Sequence, residues 1–164
     1  MIKLIVLDVD GCLTDGGIIY HSDGSESKRF NVKDGLAISS WVKMGNHAAI
    51  ITGRSSPIVE RRAKELGIAH LYQGVHNKDE VLKELLLSLG LEFGEVGAIG
   101  DDLNDYKMLL KVGRSFAPKD GAAEVRSLVQ TQLSHKGGRG AVREMIDILI
   151  DENNQREAFR SLWH

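Results

Sequence analysis

Two aspartates, Asp8 and Asp10, follow directly on the apolar stretch Ile2-Lys3-Leu4-Ile5-Val6-Leu7, in the run Asp8-Val9-Asp10-Gly11-Cys12-Leu13-Thr14. In an extended strand their side chains would point to opposite faces. Where the strand yields to the Gly11 turn, both can reach one crevice. One carboxylate could then attack a substrate or bind a metal, and the other could carry a proton. Three more polar signals recur later in the chain: Thr52-Gly53-Arg54 after the run Ala48–Ile51, Asn77-Lys78 at a helix start, and Gly100-Asp101-Asp102-Leu103-Asn104-Asp105 after Val96–Ile99.

Clustered oxygen donors without a His/Cys ligand set suit a hard cation, Mg²⁺ first among them. A lysine and a hydroxyl beside it would take the remaining oxygens of a phosphate. The cation and the lysine would neutralise the charge that otherwise keeps a carboxylate nucleophile away from an anionic ester. Each signal alone has a plainer reading. Asp-x-Asp serves turns and caps, Thr-Gly ends strands, and a lysine in a first helical turn is ordinarily solvated. Their order and shared placement at strand ends favour a phosphoryl-transfer site.

The elements that would position these residues alternate. Strand-like runs are Lys3–Leu7, His47–Ile51, Ala69–Tyr72, Val96–Ile99 and Arg114–Ala117. Helical patterns cover Gly35–Met44, Pro57–Leu66, Lys78–Leu89, Asn104–Lys111 and Arg139–Ile150. Pro57 suits a first helical turn, and Gly67 and Gly90 suit helix stops. The alternation predicts one α/β domain over residues 1–164, a Rossmann-like parallel sheet with helices on both faces. In such sheets ligands bind outside the carboxyl ends of the strands, where all the polar signals fall. Residues 16–30 break the rhythm. Ile18-Ile19-Tyr20, a Ser22-Asp23-Gly24 turn and Ser25–Phe30 read as a β-hairpin, a flap beside the first acidic motif. The polar tail, 151–164, ends in Phe159, Leu162 and Trp163, which are expected to dock on something.

Composition narrows the function. A net charge of −2 gives no electrostatic footprint for nucleic acid, and 5% aromatics give no base-stacking surface. No apolar run approaches the roughly 18–20 residues that span a bilayer, and the N-terminus has no signal-peptide pattern. Cys12 is the sole cysteine, which fits a reducing compartment. A cytoplasmic protein binding neither nucleic acid nor membrane is expected.

Asp8-Val9-Asp10-Gly11-Cys12-Leu13-Thr14, Thr52, Lys78 and Gly100-Asp101-Asp102 resemble the four motifs of the haloacid dehalogenase superfamily of phosphatases. The resemblance implies Asp8 as the nucleophile that forms an aspartyl-phosphate and Asp10 as general acid, then base. It implies Thr52 and Lys78 on the phosphoryl oxygens, and Mg²⁺ on Asp8, the Asp10 carbonyl and Asp101. Asp102 would orient Lys78 or a metal-bound water, with Asp105 a weaker outer support. Many members carry a cap domain after the first motif or between the second and third. Here Thr14 to Thr52 leaves room for a hairpin and one helix, and Thr52 to Lys78 for a helix and a strand, so no cap fits.

Phe30-Asn31-Val32-Lys33-Asp34-Gly35, Ile51-Thr52-Gly53-Arg54, His70-Leu71-Tyr72-Gln73-Gly74 and Lys136-Gly137-Gly138-Arg139-Gly140-Ala141-Val142-Arg143-Glu144 are similar to one capless group, the 3-deoxy-D-manno-octulosonate 8-phosphate phosphatases. That similarity implies a cytoplasmic homotetramer acting in lipopolysaccharide precursor synthesis, with a neighbouring subunit closing each site. It implies Asn31, Val32, Lys33, Asp34 and Gly35 lining the sugar site, and Arg54 and Arg62 on the sugar acid's carboxylate and hydroxyls. An arginine fork suits a carboxylate. Lys33 stands where that group often carries arginine. The glycine cluster 137–140 permits close backbone approach to a ligand, or simply ends a loop before a helix. Two rivals stand beside this reading. One is a phosphatase for a nine-carbon sugar acid, such as 2-keto-3-deoxynononate or N-acylneuraminate 9-phosphate, against which Arg54 weighs. The other is a phosphate-accepting signalling module, against which the order of the motifs and the flap weigh.

Overall fold

The computed structural model describes residues 1–164. In chain order its strands are β1 (Leu4–Leu7), β2 (Ile19–Tyr20), β3 (Glu26–Ser27), β4 (His47–Ile51), β5 (His70–Tyr72), β6 (Val96–Ile99), β7 (Arg114–Ala117) and β8 (Thr131–Gln132). Its helices are α1 (Val32–Lys43), α2 (Pro57–Leu66), α3 (Lys78–Leu89), α4 (Tyr106–Lys111), α5 (Ala123–Leu128), α6 (Ala141–Glu152) and α7 (Arg156–Ser161). Six strands form one parallel sheet in the order β5-β4-β1-β6-β7-β8, and β2 and β3 pair antiparallel as the flap.

The continuous apolar run of β1 is explained by its central place. Leu4 to Leu7 pair in register with His47 to Ile50 on one side and Val96 to Ile99 on the other. Alternate residues then enter two separate cores. Ile5 and Leu7 join Ile38 and Trp41 of α1, Val59 of α2 and Met145 and Ile146 of α6. Leu4 and Val6 join Leu82 and Leu86 of α3, Met108 of α4 and Val125 of α5. The sheet is thus covered on both faces, and the carboxyl ends of β1, β4 and β6 lie side by side.

Several boundaries differ from the sequence expectation for identifiable reasons. α1 begins at Val32 because the Asn31 side chain caps it, accepting from the backbone N–H groups of Lys33 and Asp34 at 2.9 and 3.2 Å. α6 begins at Ala141, since Gly140 before it is left-handed. Asn104 falls in a short 3₁₀ turn, Leu103–Asp105, ahead of α4. The sequence pattern missed β8, α5 and α7. The tail does dock through Phe159, which is buried in the core, whereas Leu162 and Trp163 stay partly exposed. Trp163 still reaches back, its indole N–H donating to Ser40 Oγ at 3.2 Å.

Candidate active site

Residue types at the end of β1 force a change of direction. After Asp8 the chain makes one wide turn over Val9–Leu13, in which Gly11 takes φ +94°. Thr14 closes it, its N–H donating to the Val9 carbonyl at 3.0 Å and its hydroxyl accepting from the Gly11 and Gly16 N–H groups. A Cβ on Gly11 would lie 1.9 Å from Asp101 Oδ2, so glycine lets the third acidic residue approach the turn. This turn brings Asp8 and Asp10 to one crevice of about 190 Å³, shared with Thr52, Gly53, Arg54, Asp101, Asp102 and Asn104.

Lys78, the first residue of α3, enters from below with a side chain only 1% exposed. Its Nζ donates to Asp8 Oδ1 at 2.9 Å and to Asp105 Oδ1 at 2.6 Å. Burial works against the ammonium charge, but Asp8 and Asp105 outweigh it and hold the Lys78 pKa above its ordinary value. Asp105 Oδ2 accepts from the Asp101 and Asp102 N–H groups, so one carboxylate fixes both the lysine and the loop after β6. Burial first, then the Asp8 charge, push Asp105 up to about 6 despite Lys78.

Of the two outer supports, it is Asp105 and not Asp102 that is hydrogen-bonded to Lys78, whose other such partner is Asp8. Asp102 caps the 3₁₀ turn, accepting from Leu103 N–H at 2.8 Å. Asp105, three residues on, points inward because Gly100 leaves the space for it; a Cβ there would lie 2.4 Å from the Asp105 Cβ.

Asp101 faces Asp8 across the crevice. Burial, then the charge of Asp8 and a hydrogen bond with it, push Asp101 up to about 9. Donor atoms of Asp8, Asp101 and Cys12 lie within 4.8 Å of one another. Two confronted carboxylates that resist joint ionisation are a donor set a hard divalent cation fits, because its charge lets both ionise. Burial keeps the Cys12 thiol well above its ordinary pKa, so it offers no thiolate.

The flap supplies residues that the sequence reading missed. Lys28 Nζ donates to Asp10 Oδ1 at 2.7 Å and lies 3.1 Å from Glu26 Oε1. Arg54 Nη2 donates to Glu26 Oε2 at 2.9 Å. The only hint was the charge alternation Glu26-Ser27-Lys28 on one predicted strand.

The expected sugar-binding residues divide. Arg54 lines the crevice; Asn31, Val32, Lys33, Asp34, Gly35 and Arg62 do not. Val32 is 81% exposed. Lys33 borders a separate groove with Arg139 and Arg143. Asp34 is buried and accepts from the Arg143 N–H at 2.9 Å, tying α1 to α6. Arg62 Nη2 donates to the Asn31 carbonyl at 3.4 Å and packs against Gly35. The glycine cluster approaches backbone closely, but the backbone is the chain's own. A Cβ on Gly137 would lie 1.8 Å from the Gly11 carbonyl oxygen, and the Gly138 N–H donates to the Cys12 carbonyl at 2.9 Å. This loop braces the turn that carries Asp8 and Asp10.

Residues 67–146 match the family model of haloacid dehalogenase-like hydrolases. The 3-deoxy-D-manno-octulosonate 8-phosphate phosphatase KdsC of Salmonella typhi is 43% identical over 149 residues, 91% of this chain and 79% of that protein. KdsC of Yersinia pestis is 40% identical over 161 residues, 98% of this chain and 86% of that protein. The crystal structure of 3-deoxy-D-manno-octulosonate 8-phosphate phosphatase from Moraxella catarrhalis, in complex with magnesium ion, phosphate ion and a KDO molecule, superposes with a TM-score of 0.96 at 42% identity, covering 99% of this chain and 94% of that one. The chain belongs to the haloacid dehalogenase-like hydrolases, within the group of the 3-deoxy-D-manno-octulosonate 8-phosphate phosphatases.

Proposed function

We propose that this chain is a Mg²⁺-dependent phosphatase that hydrolyses 3-deoxy-D-manno-octulosonate 8-phosphate to the free sugar acid and phosphate, in lipopolysaccharide precursor synthesis. The observation that carries this reading is Asp8, fixed by Lys78 at 2.9 Å on the floor of a crevice walled by Asp10, Thr52, Arg54 and Asp101. Asp8 attacks phosphorus while the bond from phosphorus to the sugar's terminal oxygen breaks, and Asp10 gives that oxygen a proton. A water then attacks the phosphorus of the aspartyl-phosphate, Asp10 takes its proton, and Asp8 leaves as carboxylate. Thr52 and Lys78 hold the phosphoryl oxygens. Asp8, Asp101 and the Asp10 carbonyl would hold Mg²⁺, which supplies positive charge against the phosphate. Asp105 keeps Lys78 in place.

Arg54, 41% exposed at the mouth, is the proposed fork for the sugar acid's carboxylate. The remaining candidates, Asn31 to Gly35 and Arg62, lie outside the crevice of one chain. We assign them to a site completed by a second copy in a homotetramer. The exposed flap residues Ile18, Ile19 and Tyr20, with Val32 at the start of α1, support such a contact. No helix is long and apolar enough to cross a membrane, and a cytoplasmic location accords with the sugar phosphate substrate.

The test is phosphate release with Mg²⁺ against a panel of sugar-acid phosphates. The eight-carbon ester is expected to give the highest kcat/KM, and Asp8→Asn to abolish turnover without unfolding the chain. Preference for a nine-carbon ester would overturn the substrate. A single stoichiometric phosphorylation would overturn the enzyme reading in favour of a signalling module. A solution mass of four chains is expected; a monomer of full activity would overturn the shared site.

A further inference from the structure

The flap contains a lysine that none of the roles above requires. Lys28 follows β3, yet its side chain is only 2% exposed, where a lysine on a small hairpin is ordinarily solvated. Its Nζ donates to Asp10 Oδ1 at 2.7 Å and lies 3.1 Å from Glu26 Oε1. Glu26 is held in turn by Arg54 Nη2 at 2.9 Å, on its other oxygen. Arg54 Nε stands 3.8 Å from Asp10 Oδ2, beyond hydrogen-bond range. The two oxygens of Asp10 are therefore unlike. Oδ1 is pinned by a charge-assisted hydrogen bond. Oδ2 has no such partner, on a residue that lines the crevice.

We infer that Lys28 is a positioning residue for proton transfer: by holding Oδ1 it presents Oδ2 of Asp10 to the ester oxygen. This inference rests on the proposed acid–base role of Asp10. The terminal torsion of an aspartate is broad and roughly two-fold, so without an anchor its oxygens exchange places. Proton transfer needs a heavy-atom approach of about 2.6–3.2 Å, and a misplacement of about 1 Å can cost about a hundredfold in rate. The chain devotes a hairpin to this anchor. Glu26 on β3 and Lys28 just after it are two residues apart, and Asp10 and Glu26 both lie within ion-pair distance of the Lys28 ammonium.

Leaving-group dependence tests this. An alkyl phosphate such as the sugar ester requires a proton on its departing oxygen, whereas p-nitrophenyl phosphate releases a stable phenolate without one. The Mg²⁺-loaded, full-length enzyme is compared with Lys28→Met and Lys28→Arg by kcat/KM on both esters, with solution mass and melting recorded for each variant. Lys28→Met is expected to lose about 10- to 100-fold on the sugar ester, within the range that general acid catalysis supplies. Its loss on p-nitrophenyl phosphate is expected to be smaller by at least about tenfold. Lys28→Arg, which keeps a cation on the flap, is expected to recover most of the difference. A flap that only maintains structure would lower both esters equally, and that result, or no loss on either, overturns the inference. Asp10→Asn separates the two readings. Selective loss in Asp10→Asn with equal losses in Lys28→Met overturns the role of Lys28 alone. Equal losses in both variants overturn the acid–base role of Asp10 as well.

Discussion

Lys78 and Asp105 meet at 2.6 Å beneath the crevice, on side chains 1% and 0% exposed. The pair joins the start of α3 to the loop after β6. A buried ammonium keeps its charge only beside carboxylates, and here two surround it. Breaking a buried pair by removing one partner typically costs about 3–5 kcal/mol. Because Lys78 retains Asp8, Asp105→Ala should lie at the lower end of that range, with kcat/KM down at least about tenfold as Lys78 loses its anchor. Asp102→Ala should cost only about 1 kcal/mol, as expected of a helix-turn cap. Urea denaturation of both variants checks this; equal costs would return Lys78's support to Asp102.

Asp101 makes stability depend on pH and metal together. Its carboxyl is pushed up to about 9, by burial and then by Asp8, against roughly 4 when unfolded. The folded chain thus binds this proton more tightly than the unfolded chain. In metal-free protein the Asp101 contribution is fully present below about pH 4 and is lost as pH rises toward 9. A cation favours the ionised form and opposes that loss. At pH 8, Mg²⁺ at about a hundred times its Kd should raise Tm by about 5–10 °C, and at pH 5 by less. Asp101→Asn should abolish the Mg²⁺ response. Melting curves in EDTA and in Mg²⁺ decide it; an equal rise in the variant would remove Asp101 from the metal site.

Gly137 is held to glycine by contact. The 1.8 Å approach that a Cβ would make to the Gly11 carbonyl oxygen leaves no room for any side chain. Gly137→Ala should displace the acidic turn, costing about 1–3 kcal/mol as overpacking does and lowering kcat on every ester alike. Unchanged kcat with reduced stability would show that the turn tolerates the shift.

Arg54 should act on binding more than on chemistry. A hydrogen bond to a charged group contributes about 1.5–3 kcal/mol when buried, and its exposure places Arg54 at or below the lower end. Arg54→Met should raise KM for the sugar-acid ester about tenfold and change KM for p-nitrophenyl phosphate little. Equal rises for both esters would assign Arg54 to the phosphate instead of the carboxylate.

Much of this site was legible because βαβ order converts sequence position into space. Asp8, Thr52 and Asp101 follow apolar runs that become the neighbouring strands β1, β4 and β6, so their convergence follows from the pattern. Lys28 was not legible, because its contact with Asp10 spans a hairpin whose strands are two residues each. Asp102 and Asp105 share one turn, and the orientation that sends one inward depends on the space left by Gly100. A cap at Asp102 or Asn104 was one reading the sequence left open, and the Asp102-x-x-Asp105 spacing, that of a capping box, places it at Asp102. The glycine cluster admitted either a ligand or a loop end, and its close neighbour is a turn more than a hundred residues earlier, a distance that no local pattern reports.

The bracing of the Asp8–Asp10 turn by Gly137 and Gly138 also sets an order of events during synthesis. In chain order Asp8 precedes its support at Gly137 and Gly138 by more than a hundred residues. Until residue 138 has emerged, a nascent chain holds Asp8 and Asp10 on an unsupported turn. Contacts of such long sequence separation form late, since a long loop must close first. The enzyme therefore becomes competent only once its glycine loop has been made, and fragments clipped ahead of that loop should accumulate without releasing phosphate.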